Sequence, residues 1–391
     1  MVARTGPVRR RARLMAEYAA LPFDAEVILA GVRPWVTCES PSWDVAAVEH
    51  MLAIAAADMA AMGARIRSLP TEYGRAGCVL ADFGPETHAP GILILSHLDT
   101  VHPLGSLAGA VPWRRDGDKA HGPGLFDMKS GAYLALEALR QLSTAGISPK
   151  LPVRVMMTGD EESGSVPARP RIEAQARAEK YVLVPEGAQP NGHLVTGRLP
   201  SARFRIFLHG RPSHALLQKE EGTSSILAMA TLLQRIEAMT DGETALTASI
   251  IQAGQAVSSV PLTCMAEVVC VAPDDDKLDA IEKRIRAMAT ELPGIRPEID
   301  RKTHRPTWWP GLKDRQLADL ATKLGRGIGL DLEFDMLAGG SDGNFTGAIG
   351  VPTLDGLGPV GADAHQLSEH IFVSSIVPRG RLLAGLIAEL E

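Results

Sequence analysis

A chain of 391 residues, of which 45% are hydrophobic and 22% charged, is long enough for two domains with sizeable cores. The formal net charge of −6 argues against nucleic acid or an anionic membrane as the main partner. No apolar run approaches the ~20 residues that span a bilayer, and the N-terminus shows no secretory signal pattern. The four cysteines form no CxxC pair, so we expect a reducing, cytoplasmic location and no thiolate metal site.

The first elements of the chain are predicted to be helices. Apolar residues recur at three- and four-residue spacing over residues 8–31 and 44–63, which is typical of amphipathic helices. The arginine-rich stretch at residues 9–13 is interpreted as a solvated helix start, because short charge runs usually face solvent.

Short apolar strands then alternate with helices. The strands are predicted at residues 91–96, 151–157 and 181–184, and the helices at 129–142 and 169–179. This alternation is typical of βαβ units and predicts an α/β fold with a mostly parallel sheet flanked by helices. Sheets of this kind place their ligands beyond the carboxyl ends of the strands.

The section at residues 197–307 has a different pattern. It predicts an α+β order: a strand at residues 202–208, a helix at 224–239, two strands at 248–253 and 263–271, and a second helix at 277–292. Helix and strand patterns return at residues 314–327 and 353–357. We therefore expect residues 1–196 and 308–391 to form one discontinuous catalytic domain, with 197–307 as an inserted domain.

Acidic and imidazole side chains follow the predicted strands or lie in the loops after them. They occur in five segments, at residues 96–100, 124–131, 159–164, 185–187 and 364–365. Any one segment alone reads as a solvated loop or a helix cap. Carboxylates and imidazoles gathered at one sheet edge need a neutralising cation, and a ligand set without thiolates suits zinc or a neighbouring first-row metal.

Six short motifs, in this order, resemble those of the M20 metallopeptidase/aminoacylase family, which includes the glutamate carboxypeptidases. They are HxDTV from His97, GxGxxDxKxG at residues 122–131, DEExGS from Asp160, Pro-Glu at 185–186, GGSDG at 339–343 and the closing His365. The resemblance runs from about residue 35 to the C-terminus, and it implies the zinc-peptidase type of fold with an inserted lid and dimerisation domain.

The same resemblance implies a pair of zinc ions bridged by Asp127. His97 and Glu186 would complete the first metal site, and Glu162 and His365 the second. Cobalt or manganese remain alternatives, because this ligand type constrains the metal only loosely.

Catalytic roles follow for two neighbours of the expected ligands. Asp99 lies two residues after His97, on the same side of the strand, where it would accept the second imidazole N–H and fix the tautomer. Glu161 would be the general base, taking a proton from a metal-bridging water and passing it to the leaving amine.

A segment of the insert, Arg211-Pro-Ser-His214-Ala, resembles the HA segment of the family's lid domain. This similarity implies that His214 reaches the active site of a partner subunit and stabilises the oxyanion. The alternative is a surface histidine. The first interpretation predicts a homodimer formed through the lid domain.

The sequence departs from the glutamate-type carboxypeptidases of this family at two positions. Ser259 stands in place of an Asn, and Val271 in place of an Arg that would bind a substrate carboxylate. Because valine cannot form a charge-assisted hydrogen bond, a C-terminal glutamate or aspartate in the substrate is disfavoured. Other candidates for this role, unless they are simply surface charges, are Arg198, Arg203 and Arg211.

The leading hypothesis is hydrolysis of an amide bond in an N-acyl amino acid, a dipeptide or a related small conjugate. The alternative is a metal-dependent deaminase that uses the same site on a small amine, aromatic amines included. For the Trp308-Trp309 pair two interpretations stay open: it lines an aromatic pocket, or it packs at the domain junction. A non-catalytic binding protein is disfavoured because Glu161 and all five ligands are present, and a phosphoesterase because Glu161 and His214 suit acyl chemistry.

Overall fold

The computed structural model describes residues 18–391, which form two compact units. The first unit comprises the described residues up to Gly197 together with Trp309–Met336 and Ser341–Glu391. The second comprises Arg198–Trp308 and Leu337–Gly340. The arginine-rich stretch at residues 9–13, and the first part of the helix expected over 8–31, lie outside the described residues.

The strands and helices are labelled in chain order. The strands are β1 (Arg65–Leu69), β2 (Cys78–Phe83), β3 (Ile92–His97), β4 (Arg114–Asp116), β5 (Lys119–His121), β6 (Val153–Thr158), β7 (Tyr181–Leu183), β8 (Leu194–Arg198), β9 (Ser201–His209), β10 (Ala245–Ala253), β11 (Thr263–Val271), β12 (Arg296–Arg305), β13 (Phe334–Leu337), β14 (Thr353–Leu354), β15 (Gly361–Ala362) and β16 (His370–Phe372). The helices are α1 (Ala25–Thr37), α2 (Val45–Ala61), α3 (Ser130–Thr144), α4 (Ala168–Arg177), α5 (Ser225–Glu237), α6 (Asp275–Thr290), α7 (Leu312–Gly327), α8 (Gly343–Ala348) and α9 (Ile376–Glu389).

A six-stranded sheet in the order β1-β2-β6-β3-β7-β14 forms the centre of the first unit. Strands β6, β3, β7 and β14 are parallel, and β2 and β1 extend the sheet in antiparallel pairing. This confirms the predicted mixed α/β fold with a parallel-rich sheet flanked by helices. Smaller sheets pair β13 with β8 and join β15, β16, β5 and β4.

Strand β3 shows why the parallel strands read as unbroken apolar runs. Its side chains alternate between two cores: Ile92 and Ile94 pack in the larger one, and Leu93 and Leu95 in the other. Helices α1, α2, α3 and α9 supply residues to the larger core, whereas α4 and α8 supply the smaller one. A strand covered on both faces needs apolar residues at every position.

The second unit is an antiparallel sheet in the order β10-β11-β9-β12, with helices α5 and α6 contributing to its core. Along β9 every second residue is buried, as expected of a strand with one covered face. The other face and the β10 edge are more exposed, and only one of the nine residues of β10 is buried.

One helix expected from the periodicity is interrupted. Helix α1 begins at Ala25, after a break at residues 20–24, so a continuous helix over 18–31 is wrong. Asp24 accounts for the new start, because its side chain accepts hydrogen bonds from the backbone nitrogens of Glu26 and Val27 and caps the helix. In the described part of the chain, no helix is both long enough and apolar enough to cross a membrane.

Candidate metal centre

The loops that follow the parallel strands bring the candidate residues together. His97 is the last residue of β3, Glu162 lies in the loop after β6, and Glu186 follows β7. Asp127 lies in a short turn at Leu125–Lys129, directly before α3, and His365 follows β15. Since the carboxyl ends of parallel strands share one sheet edge, these loops converge there.

Two groups of potential ligands share Asp127. One consists of His97, Asp127 and Glu186, the other of Asp127, Glu162 and His365, and within each group the ligand atoms lie within 4.8 Å of one another. His97 Nε2 lies 3.1 Å from Asp127 Oδ1 and 3.7 Å from Glu186 Oε1. His365 Nε2 lies 3.2 Å from Asp127 Oδ2 and 3.0 Å from Glu162 Oε2. Each oxygen of Asp127 therefore faces a different group.

The pKa shifts show how strongly these groups act on one another. Burial, reinforced by the charge of Asp127, raises the pKa of Glu162 to about 8 and raises that of Glu186 well above its usual range. Hydrogen bonds to Asp127 and then Glu162 raise the pKa of His365 to about 11. Although burial opposes it, hydrogen bonds from His365 and His97 lower the pKa of Asp127.

The donor set fits divalent metal ions. Three crowded carboxylates are stable together only when positive charge lies between them. Among the described residues, the groups in hydrogen-bonding contact with the Asp127 carboxylate that can carry such charge are the imidazoles of His97 and His365. Nitrogen and oxygen ligands without thiolate suit zinc, cobalt or manganese.

Backbone geometry holds two of these side chains in place. His365 has a φ of 65°, a left-handed conformation that few residues other than glycine adopt and that often occurs at functional sites. Gly131, at the start of α3, lies so close to the loop of Glu186 that an added Cβ would meet the Pro185 carbonyl oxygen at 1.7 Å. A glycine is therefore required where α3 approaches that loop.

Asp99 is fully buried and links two of the loops. Its carboxylate oxygens accept hydrogen bonds from the backbone nitrogens of Glu161 (3.0 Å) and Glu162 (3.1 Å), and from the hydroxyl of Ser42 (2.6 Å). His97 Nδ1 lies 3.0 Å from the backbone oxygen of Asp99 and 3.5 Å from its carboxylate. The sequence suggested only the contact with the imidazole. The structure adds the hydrogen bonds from the backbone of the loop after β6.

Glu161 is 8% exposed and lies beside both ligand groups. Burial is the main reason for the raised pKa of Glu186, and the negative charges of Asp127 and Glu161 add to it. The charge of Glu161 also contributes to the raised pKa of Glu162, after burial and Asp127. The charge of Glu161 is thus felt by carboxylates of both ligand groups.

Asp342 fastens both ends of the loop that carries Glu161 and Glu162. Its carboxylate accepts hydrogen bonds from the hydroxyls of Thr158 (3.3 Å) and Ser165 (2.5 Å), and it is 3% exposed. The sequence placed Asp342 in a motif without giving it a role. Only the fold shows which loop it contacts.

The remaining candidates lie in the second unit. His214 is exposed, and its Nδ1 accepts hydrogen bonds from the backbone nitrogens of Leu216 (3.3 Å) and Leu217 (3.2 Å). That His214 reaches the active site of a partner subunit stays a prediction. Arg198 is 7% exposed and donates to the Gly339 carbonyl oxygen, and Trp308 is fully buried.

Two buried residues near the ligands were missed from the sequence. They are Glu369, four residues after His365, and His102, five residues after His97. Their side chains form a 2.6 Å contact between His102 Nε2 and Glu369 Oε2. The only feature of the sequence that could have pointed to Glu369 and His102 is that each lies within five residues of an expected ligand.

Comparisons with known proteins point to one family. The family described as Peptidase family M20/M25/M40 matches residues 93–389. The chain is 29% identical over 306 residues to carboxypeptidase G2 of Pseudomonas sp. (strain RS-16), covering 76% of this chain and 74% of that protein. It is 26% identical over 312 residues to succinyl-diaminopimelate desuccinylase of Azoarcus sp. (strain BH72), covering 75% and 81%.

A solved structure extends the likeness to the fold. The dipeptidase Dug1p from Saccharomyces cerevisiae matches with a TM-score of 0.74 and covers 98% of this chain and 98% of its own. At 13% sequence identity, this similarity describes the fold alone.

Proposed function

This chain belongs to peptidase family M20/M25/M40, whose members hydrolyse peptide or amide bonds, and from that premise we propose that its substrate is an N-acyl amino acid, a dipeptide or a related small conjugate. The observation that supports a hydrolytic site most directly is the position of Asp127, which faces two ligand groups at once. Glu161 lies next to both groups, where a general base is needed.

We assign two zinc ions to this site, with cobalt or manganese as alternatives. Asp127 would be shared, His97 and Glu186 would hold one ion, and Glu162 and His365 the other. Bound ions of this kind supply Lewis acidity, which polarises a carbonyl oxygen and makes water easier to deprotonate.

The residues of the chain then carry the proton. Glu161 takes a proton from the attacking water as the water oxygen bonds to the amide carbon, and it returns the proton to the nitrogen as the C–N bond breaks. The products are a free acid and an amine. Asp99 keeps Glu161 in reach, because its carboxylate holds the backbone nitrogen of that residue at 3.0 Å.

For the second unit we propose a lid and dimerisation role, with His214 stabilising the oxyanion in the partner subunit. An exposed apolar surface supports the dimer: Leu227 on α5 is 67% exposed, and Ile250 and Ile251 on the edge strand β10 are 40% and 54% exposed. An unpaired strand edge with apolar side chains is suited to pair with a second copy.

The proposed substrate does not need a terminal glutamate or aspartate. Val271 ends β11 with an apolar side chain where a cation would be required. Of the alternative arginines, Arg198 already donates to a backbone carbonyl oxygen and is buried, whereas Arg211 is exposed. A substrate without an acidic side chain is therefore the expectation.

A product assay by mass spectrometry tests this function. Zinc-reconstituted protein is incubated with N-acyl amino acids, dipeptides and aromatic amides, and we expect a free acid and an amine in equimolar amounts. Glu161→Gln should abolish product formation without loss of bound zinc, whereas Glu86→Gln, a change at an exposed carboxylate, should retain it.

Two outcomes would overturn the proposal. Release of ammonia without a carboxylic acid would replace the amide hydrolase by the deaminase alternative. Unchanged turnover in the Glu161→Gln variant would remove that residue from the mechanism.

A further inference from the structure

The side chain of Glu369 is buried beside the backbone that carries Asp127. It is 1% exposed and lies four residues after His365, directly before β16. A buried carboxylate is stable only when hydrogen-bond donors or cations surround it. The identity of these donors shows what the residue does.

Four donors converge on this one carboxylate. Oε1 accepts hydrogen bonds from the backbone nitrogens of Phe126 (2.8 Å) and Asp127 (3.2 Å). Oε2 accepts from the backbone nitrogen of Gly124 (3.2 Å) and lies 2.6 Å from His102 Nε2. Three of the four donors belong to the turn that carries the shared Asp127.

Glu369 thereby joins three segments that are far apart in the chain. His102 follows the segment of His97 and Asp99, the turn at residues 124–127 carries Asp127, and Glu369 itself follows His365. A turn whose backbone nitrogens are held by a fixed carboxylate has little freedom to move its own side chain. Metal affinity depends on such outer contacts, which orient the ligands before the ion arrives.

We propose that Glu369 is a positioning residue that fixes the Asp127 carboxylate between the two metal sites, with His102 locking Glu369 in turn. The inference rests on the proposed function, because it assumes that Asp127 binds both ions. Glu369 itself touches neither the substrate nor an ion in this scheme.

The chemistry of the donors requires a carboxylate at this position. Both oxygens accept hydrogen bonds from N–H groups, and backbone N–H groups cannot reverse their role. In a Glu369→Gln variant the amide NH2 would face at least one backbone N–H. The side chain would keep its size but lose half its acceptors, so the turn would shift.

The decisive experiment compares metal binding by the unaltered protein and by Glu369→Gln. Zinc affinity is measured by calorimetry with a competing chelator, and the visible absorption spectrum is recorded after loading with cobalt. We expect at least one of the two ions to bind about 10–100-fold more weakly, with a changed cobalt spectrum. Activity is not needed for either readout.

Glu179→Gln provides a matched control for the loss of a buried carboxylate. Glu179 is 7% exposed, accepts a hydrogen bond from the backbone nitrogen of Gly91 (2.7 Å) and pairs with Arg154. Gly91 precedes β3 at the end opposite His97. This variant should lose stability while its zinc affinity and cobalt spectrum stay unchanged.

If Glu369→Gln fails to fold, two variants of His102 test the positioning role of Glu369 instead. His102→Leu removes one donor and leaves the Glu369 carboxylate in place, and we expect weaker zinc binding. His102→Gln restores an N–H donor and should recover part of the affinity. Equal affinity in all three proteins would overturn the inference.

The outcomes separate this inference from the proposed function. A folded Glu369→Gln variant that binds two zinc ions with unchanged affinity and spectrum would overturn the positioning role alone. Failure of the unaltered protein to bind zinc, cobalt or manganese would overturn the proposed function, and the positioning role with it.

Discussion

At the scale of single residues, the proton on His365 has a direct consequence for metal binding. Hydrogen bonds to Asp127 and Glu162 raise the pKa of His365 to about 11, so this imidazole is protonated at neutral pH in the metal-free protein. A metal ion binds only the neutral ring, and binding must therefore release the proton. The apparent zinc affinity should therefore rise with pH through the neutral range, because fewer protons then compete for the ring.

Calorimetry in two buffers with different ionisation enthalpies checks this prediction. At pH 7.5 we expect at least one proton to be released when the ion near His365 binds. A His365→Gln variant should release fewer protons as well as bind that ion more weakly. Identical binding enthalpies in both buffers would contradict the prediction.

The five expected ligands could be chosen from the sequence because each follows a recognisable strand or lies in a short motif. Glu369 could not, since its role depends on backbone nitrogens at residues 124–127, more than two hundred positions earlier. Strand periodicity predicted that Asp99 lies near the His97 imidazole, but β3 ends at His97 and the hydrogen bond to the ring involves the backbone oxygen of Asp99. The hydrogen bonds that its carboxylate accepts from the backbone of Glu161 and Glu162 could not be predicted, because the path of a loop has no periodic signal.

At the scale of elements, the loop between β6 and α4 depends on Asp342. Replacing Asp342 by Ala would remove the carboxylate that accepts hydrogen bonds from the hydroxyls of Thr158 and Ser165. A lost buried hydrogen bond of about 1–3 kcal/mol should let the loop with Glu161 move. We expect kcat to fall about 10-fold or more, because 1.4 kcal/mol corresponds to tenfold.

Steady-state kinetics on zinc-loaded protein measure this effect. Thr158→Val is the matched control, since it removes the longer of the two hydrogen bonds and keeps the carboxylate, and its loss of kcat should be smaller. Equal kcat in Asp342→Ala and the unaltered protein would show that the loop holds its position without this contact.

The burial of each strand and the capping of each helix determine how well the sequence predicts it. Strands β3 and β6 are buried on both faces and appear in the sequence as apolar runs. Strand β12 is rich in charged residues and has only two buried positions, so its sequence carries no clear alternation. Helix α1 starts late because Asp24 caps it, and side-chain capping competes with periodicity wherever both occur.

At the scale of the whole molecule, two inactive variants should restore each other's activity. If His214 acts in the partner's active site, a Glu161→Gln subunit can supply His214 to a His214→Ala subunit that keeps its own Glu161. Random re-association would make half of the dimers mixed, each with one complete site. We therefore expect about a quarter of the unaltered activity, as symmetric pairing predicts.

Mixing the purified variants under conditions of subunit exchange, followed by kinetics, tests this expectation. Ile251→Lys, which places a charge on the exposed edge strand β10, should reduce both dimerisation and recovery when introduced into the two variants. Leu312→Lys, at a residue of the first unit that is 67% exposed, should not. No recovery despite proven exchange would place His214 outside the partner's site.

The order of the proposed ligands along the chain also bears on how a newly made protein becomes an enzyme. His97, Asp127 and Glu186 are synthesised before the second unit, whereas His365 follows it. At about 5–20 residues per second, roughly 10 to 50 seconds separate the synthesis of His97 from that of His365. A nascent chain thus holds the ligands for one ion well before those for the second, and Glu369, which binds the backbone around Asp127, is added last of all.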